Sequence, residues 1–193
     1  MKKYISMLLA LVMVFGLVAC GNNAQNETEA PAADAQAPAS TLEVMENIWA
    51  LYTDDEKFPV MGGNPEGGVM DAPANWDLAF AEGLTSFLML SAEDVANIDE
   101  AATLIHMMNS NTFTGAVLHL KDGVDAAAFA ATAKDGIVNG HFLCGAPEKV
   151  IVADMGGNYL LIALGVKDAM GPFEAKLAEA YPAVNTLYNE NIG

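Results

Sequence analysis

"EKVIVADMGGNYLLIALG", residues 148–165, is the stretch on which the fold turns. Two apolar runs, the first rich in β-branched residues, flank Met155-Gly156-Gly157, and a Gly-Gly pair between such runs signals a tight hairpin. "KDAMGPFEAKLAEAY" (167–181) follows with helical character, Pro172 being tolerable in a first turn. Upstream the same rhythm occurs once more. "ATLIHMM" and "TFTGAVLHL" read as strands joined by Asn109-Ser110-Asn111, and "DAAAFAATAKDGIVN" (125–139) is an alanine-rich helix. The order is ββαββα, which predicts an α+β domain built on an antiparallel four-stranded sheet. Met108-x-x-Asn111 and Met155-x-x-Asn158 precede the outer strand of each half, a pattern that suggests an internal duplication.

Parity extends the expectation. With a two-residue turn at Gly156-Gly157, Ile151, Ala153, Leu160, Ile162 and Leu164 share one face, while Val150, Val152, Tyr159, Leu161 and Ala163 share the other. Both faces are apolar, so both need cover. Two helices suffice for one. The N-terminal helices and a Gly/Pro-rich segment are the local candidates for the second, and a homodimer partner is the alternative.

Those N-terminal elements are legible too. Ser40 and Glu43 form a capping-box pattern, and Leu42, Met45, Ile48, Trp49 and Tyr52 follow at helical spacing, so residues 41–52 are expected as a helix. "FPVMGGNPEGGVMDAPANW" (58–76) reads as an irregular segment holding at most one short strand. A segment this long within a compact domain is usually functional or serves as cover. Residues 77–90 are expected to be helical despite Gly83, and Ser91 opens one further capped turn. The folded domain is placed at 41–193.

The preceding forty residues carry an address. "MKKYISMLLALVMVFGLVAC" has two lysines, an apolar run from Ile5 to Val18, and small residues before Cys20, which is the layout of a secretory signal peptide over residues 1–19. Fourteen apolar residues fall short of the roughly 20 a spanning helix needs. Leu17-Val18-Ala19-Cys20 resembles the lipobox of bacterial lipoproteins. The resemblance implies cleavage before Cys20, attachment of a diacylglyceryl group to its sulfur, and display on the outer face of the bacterial cytoplasmic membrane. Residues 20–40 then form a lipidated cysteine and a tether, because "GNNAQNETEAPAADAQAPAS" has no aromatic or large aliphatic side chain to bury. A thioether at Cys20 cannot form a disulfide, which leaves Cys144 unpaired.

Charge narrows the partners. The chain has 25 acidic and 8 basic residues, a formal charge of −17, and every basic residue is a lysine. Such a surface repels nucleic-acid phosphates, and the bidentate arginine clamp is missing, so no nucleic-acid partner is expected. The ligand or partner, whether protein or small molecule, is left unspecified by the sequence.

Candidate chemistry is sparse. His141 and Cys144 in "HFLCGAPE" could form a thiolate–imidazole pair or half a metal site, although free cysteine is among the most buried residue types and burial is the plainer expectation. The three histidines share no spacing, "GGNPEGG" lacks the Lys-Ser/Thr of a phosphate loop, and "DDE" lacks the ligand alternation of a calcium loop, so neither metal nor cofactor is expected. Met107-Met108 is expected in the core. "KFPVMGG" (57–63), "LIHMMNSNTFT" (104–114) and "CGAPEKVIV" (144–152) resemble a group of uncharacterised lipoproteins of Gram-positive gut bacteria, some labelled bacteriocin transport accessory protein. The CxxC that a thioredoxin-type accessory protein would use is absent here, and no active-site residue carries over. The expected function is a non-enzymatic binding or accessory module whose surface cleft lies between the 58–76 segment and the sheet, with Phe58, Met61, Asn64, Met70 and Trp76 as candidate binding residues. A thiol-dependent enzyme or redox accessory protein using Cys144 with His141 is the alternative.

Overall fold

The computed structural model describes residues 37–192, so the expected leader, Cys20 and most of the expected tether lie outside the described residues. The elements run α1 (Thr41–Trp49), β1 (Val60–Gly62), β2 (Val69–Met70), β3 (Ala74–Asn75), a 3-10 turn (Leu78–Phe80), α2 (Glu82–Leu88), α3 (Ala92–Ala96), β4 (Ile98–His106), β5 (Phe113–Leu120), α4 (Ala126–Val138), β6 (Lys149–Gly156), β7 (Tyr159–Gly165), α5 (Lys167–Ala180) and β8 (Asn185–Asn191). The class is α+β, with one open antiparallel sheet. Its size corrects the expectation of four strands. Eight strands take part, in the order β2-β1-β4-β5-β7-β6-β8 with β3 also on β4.

The additional strands come from segments with weak local signals. β1 and β3 lie end to end along β4, pairing Val60 with His106 and Ala74 with Thr103. The Gly/Pro-rich segment is therefore an edge of the sheet and not a cover packed on it. β8 ("NTLYNEN") pairs with β6 at the opposite edge, where Leu187 and Tyr188 give only a brief apolar signal. Both edges are blunted: β2 has two residues, and β8 is polar with a register shift opposite Val152 and Ala153.

The β6–β7 hairpin corrects the parity. Gly157 and Asn158 both have positive φ, and Gly156 pairs with Tyr159, so the turn lies one residue beyond the expected Gly156-Gly157. Displacing the turn by one residue leaves the facing pairs with the same parity; the register shift beside Met155, where Asp154 and Gly156 face the adjacent Leu160 and Tyr159, is what reverses it. A one-residue slip moves every side chain of a strand to the other face. Val150 and Val152 consequently share a face with Leu160, Ile162 and Leu164, whereas Ile151 and Ala153 share one with Leu161 and Ala163.

Each face carries its own core. On the first, Phe129, Ala130, Ala133 and Ile137 of α4 pack with Leu84 and Leu88 of α2. On the second, Val44, Met45 and Ile48 of α1 pack with Met170, Phe173 and Leu177 of α5. Each large apolar side chain buried this way contributes about 1.5–3 kcal/mol. The two long helices thus lie on opposite faces, where the parity reading had them sharing one. The apolar face that argued for a homodimer partner is covered from within the chain. A two-fold axis normal to the sheet relates antiparallel neighbours without exchanging faces, so no such axis relates the two ββα halves. α5 also begins early enough that Pro172 falls in its second turn.

Among the described residues, one buried side-chain polar atom lacks a hydrogen-bond partner. Tyr52 is 4% exposed within an aromatic group with Trp49 and Phe58, and its hydroxyl makes no hydrogen bond. Burial, assisted by the Glu56 carboxylate, pushes its ionisation far above the ordinary tyrosine value. Tyr52→Phe is expected to raise unfolding stability by about 1 kcal/mol, since it removes an unsatisfied group at constant shape. The raised value also works against stability in base. Above pH ~10 the unfolded chain releases this proton while the folded one keeps it, so stability falls as pH rises. Urea titrations at pH 7 and pH 10.5 should show the variant's advantage growing with pH.

Candidate binding cleft

Beyond β1 the chain turns at Gly63, whose φ is +77° and whose N–H donates to the buried Thr103 hydroxyl at 3.0 Å. The next residue fastens the loop. Asn64 Oδ1 accepts from the Asp77 N–H at 2.6 Å, and its Nδ2 donates to the Asp77 carbonyl at 3.2 Å. Asp77 in turn caps the 3-10 turn by accepting from the Ala79 N–H. Two stretches thirteen residues apart are thereby stapled without a strand between them.

Trp76 stands behind this staple. Its N–H donates to the Ala101 carbonyl, and its indole Nε1 donates to the Phe80 carbonyl at 3.2 Å. The six-membered ring lies against Gly83, where a Cβ would approach Cζ2 to 2.3 Å. The single helix expected over 77–90 is interrupted before Gly83: the Phe80 carbonyl accepts from the Trp76 indole, and the Leu84 N–H donates to Ala81 at 3.0 Å. The chain makes a 3-10 turn and then restarts as α2, and Phe80, at 50% exposure, faces solvent where the two meet.

The product is an open cleft of about 540 Å³ lined by Asn64, Pro65, Glu66, Trp76, Phe80 and Glu82 among others. This is the size range of small-molecule and side-chain sites. A second cleft of about 510 Å³ lies across Ala81 and Glu82, lined in part by Leu78, Val95 and Ile98. Its cation, Lys121, donates its ammonium to the Ala96 carbonyl at 2.7 Å.

Of the five candidate binding residues, the fold brings Asn64 and Trp76 together here. Phe58 lies elsewhere, in the core on the α1 side, 5.3 Å from the Phe113 ring. Met61 and Met70 pair across the β1–β2 hairpin, with Met70 exposed. Pro65 and Glu66 belong to the expected segment, but its facing wall is the 79–83 stretch and not the sheet, so Phe80 and Glu82 were not anticipated. The signal that could have found them is Gly83, whose small size permits the tryptophan contact.

His141 and Cys144 occupy a different place. Both are exposed and line an open pocket of about 520 Å³ with Met89, Met108 and Asn109–Asn111. The expectation of a buried cysteine is corrected, and so is that of core methionines: Met107 and Met108 face solvent. Cys144 holds a left-handed backbone (φ 63°), a conformation costly for a residue other than glycine. It is kept there by a clamp. Asn109 Nδ2 donates to the Cys144 carbonyl at 2.9 Å, and Asn111 Nδ2 donates to the carbonyls of Leu143 and Gly145. Among the described residues, Cys144 makes no side-chain hydrogen bond to His141, and no group of three His, Cys, Asp or Glu could hold a metal. The native protein is expected to take up an aromatic disulfide reagent at Cys144 within minutes, a uptake that Cys144→Ser loses. Labelling seen only after denaturation would contradict the exposed thiol.

No protein-family model, curated protein or solved structure matches this chain.

Proposed function

We propose that this chain is a lipid-anchored, extracytoplasmic binding module without catalytic activity, and that the cleft at Trp76 and Phe80 is where it takes its ligand. The observation that carries the reading is the pairing of a solvent-facing phenylalanine with a stapled, glycine-backed tryptophan in a cleft of about 540 Å³. Phe80 forgoes burial at the mouth of a concave site whose wall is the buried Trp76, and a cleft of this size with an apolar wall and a few polar groups is the usual form of a ligand site. The anchor rests on residues 1–20, where charge, apolar length, a small residue and cysteine coincide. Two acyl chains on Cys20 would hold the module stably at the membrane, since one chain alone is marginal.

The test has two parts. Mass spectrometry of membrane-extracted protein should find a diacylglyceryl group on Cys20, and Cys20→Ser should release the chain from the membrane. N-acetyl-tryptophanamide, as a minimal aromatic probe, should perturb the Trp76 indole N–H resonance of the full-length protein, and Phe80→Ala should weaken that binding about tenfold. A probe that binds nowhere, or only at the 141–145 loop, sinks the cleft reading.

The exposed Cys144 favours a second reading, a thiol-dependent enzyme or redox accessory protein in which His141 serves as base. A thiol reaction rate unaffected by His141→Ala would remove it.

A further inference from the structure

We infer that the two clefts either side of Ala81 and Glu82 form one bipartite groove, and that its ligand is a short cationic peptide segment with apolar side chains flanking a lysine or arginine. This rests on the binding-module reading and adds the chemical class of the ligand.

The groove's layout specifies that class. Pro65, Trp76 and Phe80 line the first cleft, and Leu78, Val95 and Ile98 line the second, so each end presents apolar groups to a ligand. Ala81 and Glu82 line both clefts, which puts an exposed carboxylate at the saddle between them. Glu66 stands at the rim of the first cleft. Among the described residues, neither Glu66 nor Glu82 takes part in an ion pair. Asp99, at the far rim of the second cleft, already shares His119, so Glu66 and Glu82 carry the selective charge. The one cation lining the groove is Lys121, and its ammonium is tied to the Ala96 carbonyl.

Electrostatic complementarity then chooses the partner. An anionic ligand would meet uncompensated carboxylates on a chain of net charge −17, whereas a cation held between two apolar groups would meet Glu82. A bare polyamine would satisfy the carboxylates and leave both apolar linings wet. Peptide side chains supply apolar and cationic groups alternately on one backbone.

The experiment compares acetyl-Trp-Lys-Trp-amide, acetyl-Trp-Glu-Trp-amide and N-acetyl-tryptophanamide on the full-length protein, by amide and indole N–H chemical shifts. The lysine peptide is expected to bind at least tenfold tighter than the glutamate peptide at low salt, with the gap closing at high salt as screening grows. Glu82→Gln should weaken the lysine peptide about fivefold and leave N-acetyl-tryptophanamide unaffected. Ala92→Lys, on the exposed rim of the second cleft, should weaken the lysine peptide while single-tryptophan binding persists. Equal affinity for the two peptides, or a silent Glu82→Gln, overturns the inference. If N-acetyl-tryptophanamide binds and the lysine peptide gains nothing over it, the bipartite cationic groove is wrong while the binding module stands. Failure of all three probes ends both.

Discussion

Gly62→Ala is expected to cost about 3 kcal/mol and to loosen the whole sheet edge that carries the cleft. Gly62 is the last residue of β1, and a Cβ there would sit 2.2 Å from the Ala74 nitrogen and 2.5 Å from the Ala72 carbonyl oxygen. Both are backbone atoms, so no side-chain rotation relieves the clash. Overpacking of this kind costs typically 1–3 kcal/mol and more when backbone must move. Either β1 or the 72–74 backbone would have to shift, and each is paired with β4. Both tryptophans report on the region, since Trp49 Nε1 donates to the Asp71 carbonyl and Trp76 follows β3. A change in native fluorescence together with a lower urea midpoint is the expected signature. Gly67→Ala, where a Cβ would meet nothing within 4 Å, serves as the control and should be silent. A Gly62→Ala protein with the parent's midpoint would mean that the crossing of the 72–74 backbone over Gly62 is misplaced.

Phe113→Ala should be the more damaging change, at about 3–5 kcal/mol. Phe113 is fully buried at the start of β5, with ring centroids 5.3 Å from Phe58 and 5.1 Å from Phe173. It therefore joins three pieces of chain: the approach to β1, the sheet itself, and α5. Gly115 stands beside it on the same strand face and has no side chain to move into the cavity, which leaves Met45, whose Cε would lie 3.4 Å from a Gly115 Cβ, as the flexible neighbour there. For a domain of this size the melting temperature should fall by roughly 10 °C. A loss below ~1.5 kcal/mol would show that the site collapses around the smaller residue.

The candidate site was only half legible in advance. Asn64 and Trp76 stood out because the segment around them was long, irregular and rich in glycine. Their partners Phe80 and Glu82 lay within a run that reads as one helix, and periodicity gives no hint that the Trp76 indole takes the Phe80 carbonyl where that run is interrupted. Cys144 shows the opposite error. Free cysteine is usually buried, yet this one is held outward in a left-handed turn by the amides of Asn109 and Asn111, a contact spanning more than thirty residues. Statistical preference for a residue type cannot anticipate a clamp of that kind.

By itself the sequence determined what depends on neighbours along the chain. The Ser40 and Ser91 caps, the helices at 126–138 and 167–180, and the central strands of the sheet follow from capping chemistry and from side-chain periodicity over a few residues. Tertiary structure alone decided the rest. It made edge strands of β1, β3 and β8, whose few residues have little preference until β4 or β6 offers hydrogen bonds. It placed α4 and α5 on opposite faces, and it set the parity of the β6–β7 hairpin, because the extra residue at Met155 exchanges the faces of a strand that is apolar on both sides. Such a strand has no wet face to prefer, so only the completed packing on either side fixes which way each side chain points.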